Sequence, residues 1–214
     1  MFRENPADVR REPARQAGLV YVVDDDEAVR DSLRWLLEAN RYQVSCFARA
    51  EDFLAHYEPT RTACLILDVR MPGMSGLELQ EQLVARGANL PILFITGHGD
   101  VPMAVTTMKK GAIDFIEKPF NEADLRASVE RMLATAEEEG ETRRRDRERD
   151  GLLSRLTARE RQVLECIVAG RLNKQIADDL GISIKTVESH RATIMDKLNA
   201  GTVADLLRLA LTRG

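Results

Sequence analysis

The chain has 214 residues, 44% of them hydrophobic and 31% charged, which is the make-up of a globular protein and excludes a disordered or fibrous one. That length accommodates two small domains, and no apolar run approaches the roughly 20 residues that a membrane-spanning helix needs. The net charge of −4 is uneven: residues 18–137 hold 12 Lys/Arg against 19 Asp/Glu, while residues 151–214 hold 10 against 7. A mildly basic C-terminal part suits an anionic partner, and the acidic N-terminal part does not.

Residues 1–17 are polar, without the apolar core of a secretory signal, and read as a disordered lead-in to a cytoplasmic protein. From Gly18 to Ala136, short apolar runs alternate with amphipathic stretches. Strands are predicted at 18–23, 43–47, 63–67, 90–95 and 112–116, and helices at 27–39, 49–57, 76–86, 101–110 and 122–136. This alternation is that of βαβ units, giving an α/β doubly wound five-stranded parallel sheet of flavodoxin-like type. In such a sheet the ligand site lies at the carboxyl ends of the strands. Cys46, Cys64 and Cys166 stand far apart in apolar runs, so they read as buried, reduced thiols and not as a zinc site.

Residues 137–150 (EEEGETRRRDRERD) contain no apolar side chain. They read as a charged, helical linker with acid–base pairs four residues apart, interrupted or bent near Gly140. Beyond it, residues 151–214 show four short helical patterns, at 157–169, 173–180, 184–198 and 202–212, and no strand, so an all-α domain follows the α/β one. Thr157 with Glu160 makes a capping box, Asn173 and Ser183 are expected to cap the next two helices, and Gly170 and Gly181 end helices. Two short helices joined by a tight glycine turn form a helix-turn-helix, whose second helix enters the DNA major groove.

Four strand ends carry the chemistry of the first domain. The first ends in Asp24-Asp25-Asp26 and the third in Asp68, so their carboxylates are expected to converge at one edge. Crowded carboxylates repel unless a cation joins them, and an oxygen-rich, partly hydrated site suits Mg²⁺. Thr96 adds a hydroxyl after the fourth strand and Lys118 an ammonium after the fifth. Such a set can position a phosphoryl group and neutralise its equatorial oxygens. Asp26 and Asp100 are better placed as helix N-caps than as metal ligands.

In order and spacing, VVDDD, LILDVRMPGMSG, FITGHGD and FIEKPF resemble the receiver domain of two-component response regulators, over about 18–136. The resemblance implies that Asp68 accepts a phosphoryl group from a sensor histidine kinase. It implies Mg²⁺ held by Asp24, Asp25, Asp68 and the backbone carbonyl of Arg70, with Thr96 and Lys118 on phosphoryl oxygens. It also puts Phe115 at the switch-aromatic position, and Arg70 and His98 beside the path of the water that hydrolyses the phosphoryl group.

The second helix of the helix-turn-helix divides by face. Val187, His190, Ile194 and Leu198 follow the helical period and are expected to pack inward. Lys185, Glu188 and Ser189 are expected to read bases, with Thr186 in the DNA-contacting set and Lys174, Arg191 and Lys197 on phosphates. The run LTARERQVLECIVAGRLNKQIADDLGISIKTVESHRATIMDKL resembles the LuxR/NarL-type helix-turn-helix, and with TGHGDVPMAV the whole is similar to the FixJ branch of the NarL family. That resemblance implies a DNA-binding transcription regulator, dimeric when phosphorylated, with Val203, Leu206, Leu207 and Ala210 on a dimerisation face and no enzymatic role beyond its own phosphorylation and dephosphorylation. A dehalogenase-like phosphatase would need a second acid two residues beyond its nucleophile, where this chain has Arg70. A constitutive DNA binder with an inert receiver is the other rival.

Overall fold

A computed structural model describes residues 18–97 and 114–211. The helix expected at 101–110, together with His98 and Asp100, lies outside the described residues.

Five strands, β1 (Leu19–Val23), β2 (Gln43–Phe47), β3 (Ala63–Asp68), β4 (Ile92–Thr96) and β5 (Asp114–Glu117), form one sheet in the order β2-β1-β3-β4-β5. Every pairing is parallel. The central strands are apolar on both sides because helices cover both faces. Side chains alternate along them: Tyr21, Val23, Leu65, Leu67 and Phe94 join one core, and Val20, Val22, Cys64, Ile66, Leu93 and Ile95 the other. Helices α2 (Ala50–His56) and α3 (Gly76–Ala85) close the first core through Phe53, Leu79 and Leu83. Helix α1 (Glu27–Ala39) and the start of α4 (Glu122–Ser154) close the second through Leu33, Leu37, Leu125, Val129 and Met132. Each such side chain, fully buried, contributes about 1.5–3 kcal/mol.

Local chemistry sets where the elements begin and end. Asp26 caps α1 by accepting from the Ala28 amide, and Ser75 with Glu78 forms a capping box on α3. Strand β4 starts two residues later than the apolar run suggests. Pro91 has no N–H for the ladder, although its carbonyl still accepts from Leu65 N at 2.9 Å.

The described residues divide into two compact units, separated between Gly140 and Glu141. Helix α4 runs through Gly140 without the interruption that was one of the two expectations there. A mid-helix glycine costs only about 1 kcal/mol, and its neighbours are strong helix formers. Pairs four residues apart also support this stretch, with Arg145–Glu141 at 2.8 Å and Arg144–Glu148 at 3.9 Å.

In the second unit α5 (Ala158–Val168), α6 (Asn173–Leu180), α7 (Ile184–Lys197) and α8 (Val203–Leu211) enclose a core of Val163, Leu164, Ile167, Ile176, Val187, Ile194, Leu198 and Leu206. No strand occurs among its described residues. Thr157 and Glu160 form the expected capping box, and Ser183 caps α7. Asn173 is not a cap: Leu172 holds that position, no side chain there accepts from the first turn, and Gln175 reaches back to accept from the Leu172 amide at 2.9 Å, the half of a capping box that satisfies the cap residue's own N–H. Gly181 ends α6 with φ +63°, a left-handed conformation that glycine adopts without a Cβ penalty. No helix among the described residues is long and apolar enough to cross a membrane.

Candidate functional site

The parallel topology brings the ends of β1, β3, β4 and β5 to one edge, and the change of winding direction between β1 and β3 opens a crevice there. Asp24 follows β1 and Asp68 ends β3; both are buried, as is Thr96 at the end of β4. Lys118 follows β5, tied to β4 by its amide donating to the Thr96 carbonyl at 2.8 Å. Its Nζ donates to Asp24 Oδ2 at 2.7 Å and to Asp68 Oδ1 at 2.9 Å. One ammonium therefore joins two carboxylates from positions 94 and 50 residues away.

The remaining carboxylate oxygens are held by main chain. Asp24 Oδ1 accepts from the Asp26 amide at 2.9 Å, and Asp68 Oδ2 from the Arg70 amide at 2.7 Å. Arg30, which the sequence did not single out, donates to the carbonyls of Asp24 at 2.7 Å and Asp25 at 2.8 Å, fixing the turn that presents both residues. Burial pushes the Asp24 carboxyl above its ordinary pKa, against the opposing pull of Lys118. For Lys118 burial acts downward, but the two carboxylates outweigh it and raise the pKa. At neutral pH the lysine is thus a fixed cation in the crevice.

Gly76 is a second residue that sequence reasoning missed. A Cβ there would stand 2.2 Å from the Asp68 carbonyl oxygen, and its own amide donates to the Val69 carbonyl at 3.1 Å. The start of α3 can therefore approach the backbone of Asp68 only because residue 76 has no side chain. The glycine after Ser75 in LILDVRMPGMSG was the available signal.

Asp25 departs from the expected convergence. It is exposed, and among the described residues no three acidic, histidine or cysteine side chains gather closely enough to hold a metal by themselves. Both residues lie past the end of β1, and a bend at Asp25 leaves its side chain in water while Asp24 stays buried. The gathered donor set among the described residues is a buried carboxylate pair, Asp24 and Asp68. That set is oxygen-only and fits Mg²⁺, which keeps several waters and takes one or two carboxylates. Phe115 on β5 is half-buried and packs against the core that contains Tyr21, Leu67 and Phe94. Cys64 is buried, and burial alone pushes its thiol well above the ordinary range, so it is an inert packing residue.

On the second unit, α7 presents the face read from the sequence. Lys185, Glu188 and Ser189 are exposed, as is Lys174 at the start of α6. Val187 and Ile194 are buried, and His190 and Arg191 are half-buried. Thr186 is half-buried, and its hydroxyl is 2.8 Å from that of Ser183, within the cap of the helix. Two expectations need correction. Lys197, expected on phosphate, is engaged inside the domain in this conformation, its Nζ 2.9 and 2.8 Å from the two oxygens of buried Glu160, where it neutralises the α5 capping box. Leu206 is in the core, 1% exposed, and is closed to a dimerisation face in this conformation. Val203 is exposed and Leu207 and Ala210 half-buried, leaving these three at the surface of α8.

Comparison with known proteins gives the same two parts. Residues 20–130 match the response regulator receiver domain, and residues 154–210 match the luxR family of bacterial regulatory proteins. The transcriptional regulatory protein FixJ of Azorhizobium caulinodans is 48% identical over 195 residues, covering 91% of this chain and 92% of that protein. The solved structure of the response regulator StyR is similar with a TM-score of 0.86 and 47% identity, covering 92% of this chain and all of that one, a coverage of 100%. Full-length FixJ from B. japonicum is 42% identical with a TM-score of 0.55, over 91% of this chain and 96% of that one. A receiver with an aspartate pocket joined to a LuxR-type helix-turn-helix defines the class, a two-component transcriptional regulator that binds DNA. Within that class the chain belongs to the NarL/FixJ family of response regulators. The receiver implies a histidine kinase as partner, and receivers of this kind generally use Mg²⁺ at their phosphorylation site.

Proposed function

We propose that Asp68 is the phosphoacceptor and that its phosphorylation promotes dimerisation and binding to a two-fold promoter site. The observation that carries this reading is Lys118 Nζ held between Asp24 and Asp68, at 2.7 and 2.9 Å, on the sheet edge that also holds Thr96. An oxygen of Asp68 attacks the phosphorus of a sensor kinase phosphohistidine; the new O–P bond forms as the P–N bond breaks, and the imidazole nitrogen keeps the electron pair. Lys118 moves from carboxylate to phosphoryl oxygen as charge develops there, and the Thr96 hydroxyl donates to a second. Asp24, Asp68 and the carbonyl of Arg70 would hold Mg²⁺, with Asp25 able to join through water from its exposed position. The ion would supply neutralisation of the phosphoryl charge.

Any shift in DNA affinity must come from a difference between the two receiver states, which the Thr96 and Phe115 side of the sheet is placed to provide. Two residues after Asp68 stands Arg70 and not a second acid, which disfavours hydrolysis of outside substrates and favours a regulator. The test is incubation of the full chain with acetyl phosphate and Mg²⁺ followed by intact-mass measurement. One phosphoryl group is expected on the native chain and none on Asp68→Ala; equal incorporation in both would reject Asp68 as acceptor.

A further inference from the structure

The recognition helix starts with an apolar residue that the domain does not use. Ile182 packs against the core of the second unit, whereas Ile184, two residues on, is 46% exposed. It is the first residue of α7, beside the Ser183 cap and beside Lys185. Glu188 lies four residues further, on the same face of the helix, and is exposed as well. Side chains four apart on a helix stand about 5–6 Å apart at Cβ, close enough to address neighbouring base pairs in one groove.

The two side chains differ in what they can recognise. A carboxylate in the major groove accepts from the N4 amino group of cytosine, while an aliphatic side chain has one specific target there, the C5-methyl of thymine. The Thr186 hydroxyl is engaged with that of Ser183 at 2.8 Å, within the cap of the helix. Lys185 and Ser189, on the adjacent stripe, are exposed and remain available for phosphate or purine.

We propose that Ile184 is a specificity-determining residue, its side chain contacting the methyl group of a thymine next to the cytosine that Glu188 reads. The inference rests on α7 being the DNA-reading helix and goes beyond it by naming a base and a residue. Substitution at Ile184 leaves the fold intact, since the side chain lies outside the core and alanine is the best helix former.

The experiment selects duplexes from a random pool with the full chain, treated with acetyl phosphate and Mg²⁺, in parallel with Ile184→Ala and Glu188→Ala. The native chain is expected to enrich a thymine beside a cytosine in each half-site. Ile184→Ala should lose the thymine alone, and Glu188→Ala the cytosine alone. Replacing that thymine by deoxyuridine, which lacks only the methyl, should weaken native binding about fourfold and leave Ile184→Ala unchanged. An unchanged thymine preference in Ile184→Ala, or an equal deoxyuridine effect in both chains, overturns the inference while leaving DNA binding in place. Failure of every chain to enrich any duplex overturns the DNA-reading assignment of α7 and the inference with it.

Discussion

At the receiver's sheet edge the working groups are withdrawn from water: Asp24, Asp68 and Thr96 are buried, and Lys118 is held by two of them. On the second unit the working groups stand in the open, with Lys185, Glu188 and Ser189 exposed along one helix. The pocket is assembled from four strand ends, so its chemistry depends on the fold being right everywhere. The reading face belongs to one helix and needs only that helix to be presented. The lysines show what the difference means. Lys118 and Lys197 each face a buried acid and are fixed by it, while Lys174 and Lys185 face solvent and are available to a partner. The role of a lysine is set by the acid it meets, which lies far away in sequence.

The comparison predicts large effects in the pocket and graded ones on the helix. Lys118→Ala leaves Asp24 and Asp68 facing each other without a cation and removes a phosphoryl partner. Its rate of phosphorylation by acetyl phosphate should fall by a factor on the order of 100, as expected for a lost electrostatic donor; a near-native rate would detach Lys118 from the chemistry. Gly76→Ala pushes a methyl against the Asp68 carbonyl. It should destabilise the chain by about 1–3 kcal/mol in urea unfolding and slow phosphorylation as well, whereas a neutral result would show that α3 moves aside easily.

On the second unit, two lysines that read alike should separate. Lys174→Ala is expected to weaken binding to all duplexes and reduce the salt slope by about 1, without changing thermal stability. Lys197→Ala should lower Tm, because buried Glu160 loses its cation, and leave the salt slope intact. The smallest effect is on pH. Hydrogen bonds from Lys197 and from the Thr157 amide hold the Glu160 carboxyl below its ordinary pKa. Its contribution to stability is therefore complete above the unfolded value of about 4.5 and is lost as pH falls through the lower folded value. Acid unfolding of the Glu160→Gln chain should show a shallower dependence in that range; an unchanged slope would remove this pair from the account.

What the sequence disclosed follows from physics that acts locally. Apolar runs located all five strands within a residue or two wherever their ends are described, and helical period with caps located α1, α3, α5 and α7. Parallel topology then brought Asp24, Asp68, Thr96 and Lys118 to one edge, because strand ends share an edge whatever their separation. Partnerships between distant residues were not legible. Lys197 finds Glu160 37 residues away across the domain core, and nothing in the period of α7 encodes that. Leu206 satisfies an apolar stripe whether that stripe is core or interface, and only the packing decides. The close approach at Gly76 depends on where α3 crosses Asp68, and the Asp25 side chain turns outward through a local bend that a strand pattern does not specify.

The central claim is that chemistry in the buried pocket changes what the exposed helix does. The direct measurement is the affinity of the full chain for a selected duplex, by fluorescence anisotropy, with and without acetyl phosphate and Mg²⁺, for the native chain and Asp68→Ala. Phosphorylation should tighten native binding at least about fivefold, within the range of allosteric couplings, and leave Asp68→Ala unchanged. Equal affinities under all four conditions would contradict the account, leaving a receiver and a DNA-binding domain that share a chain without a switch between them.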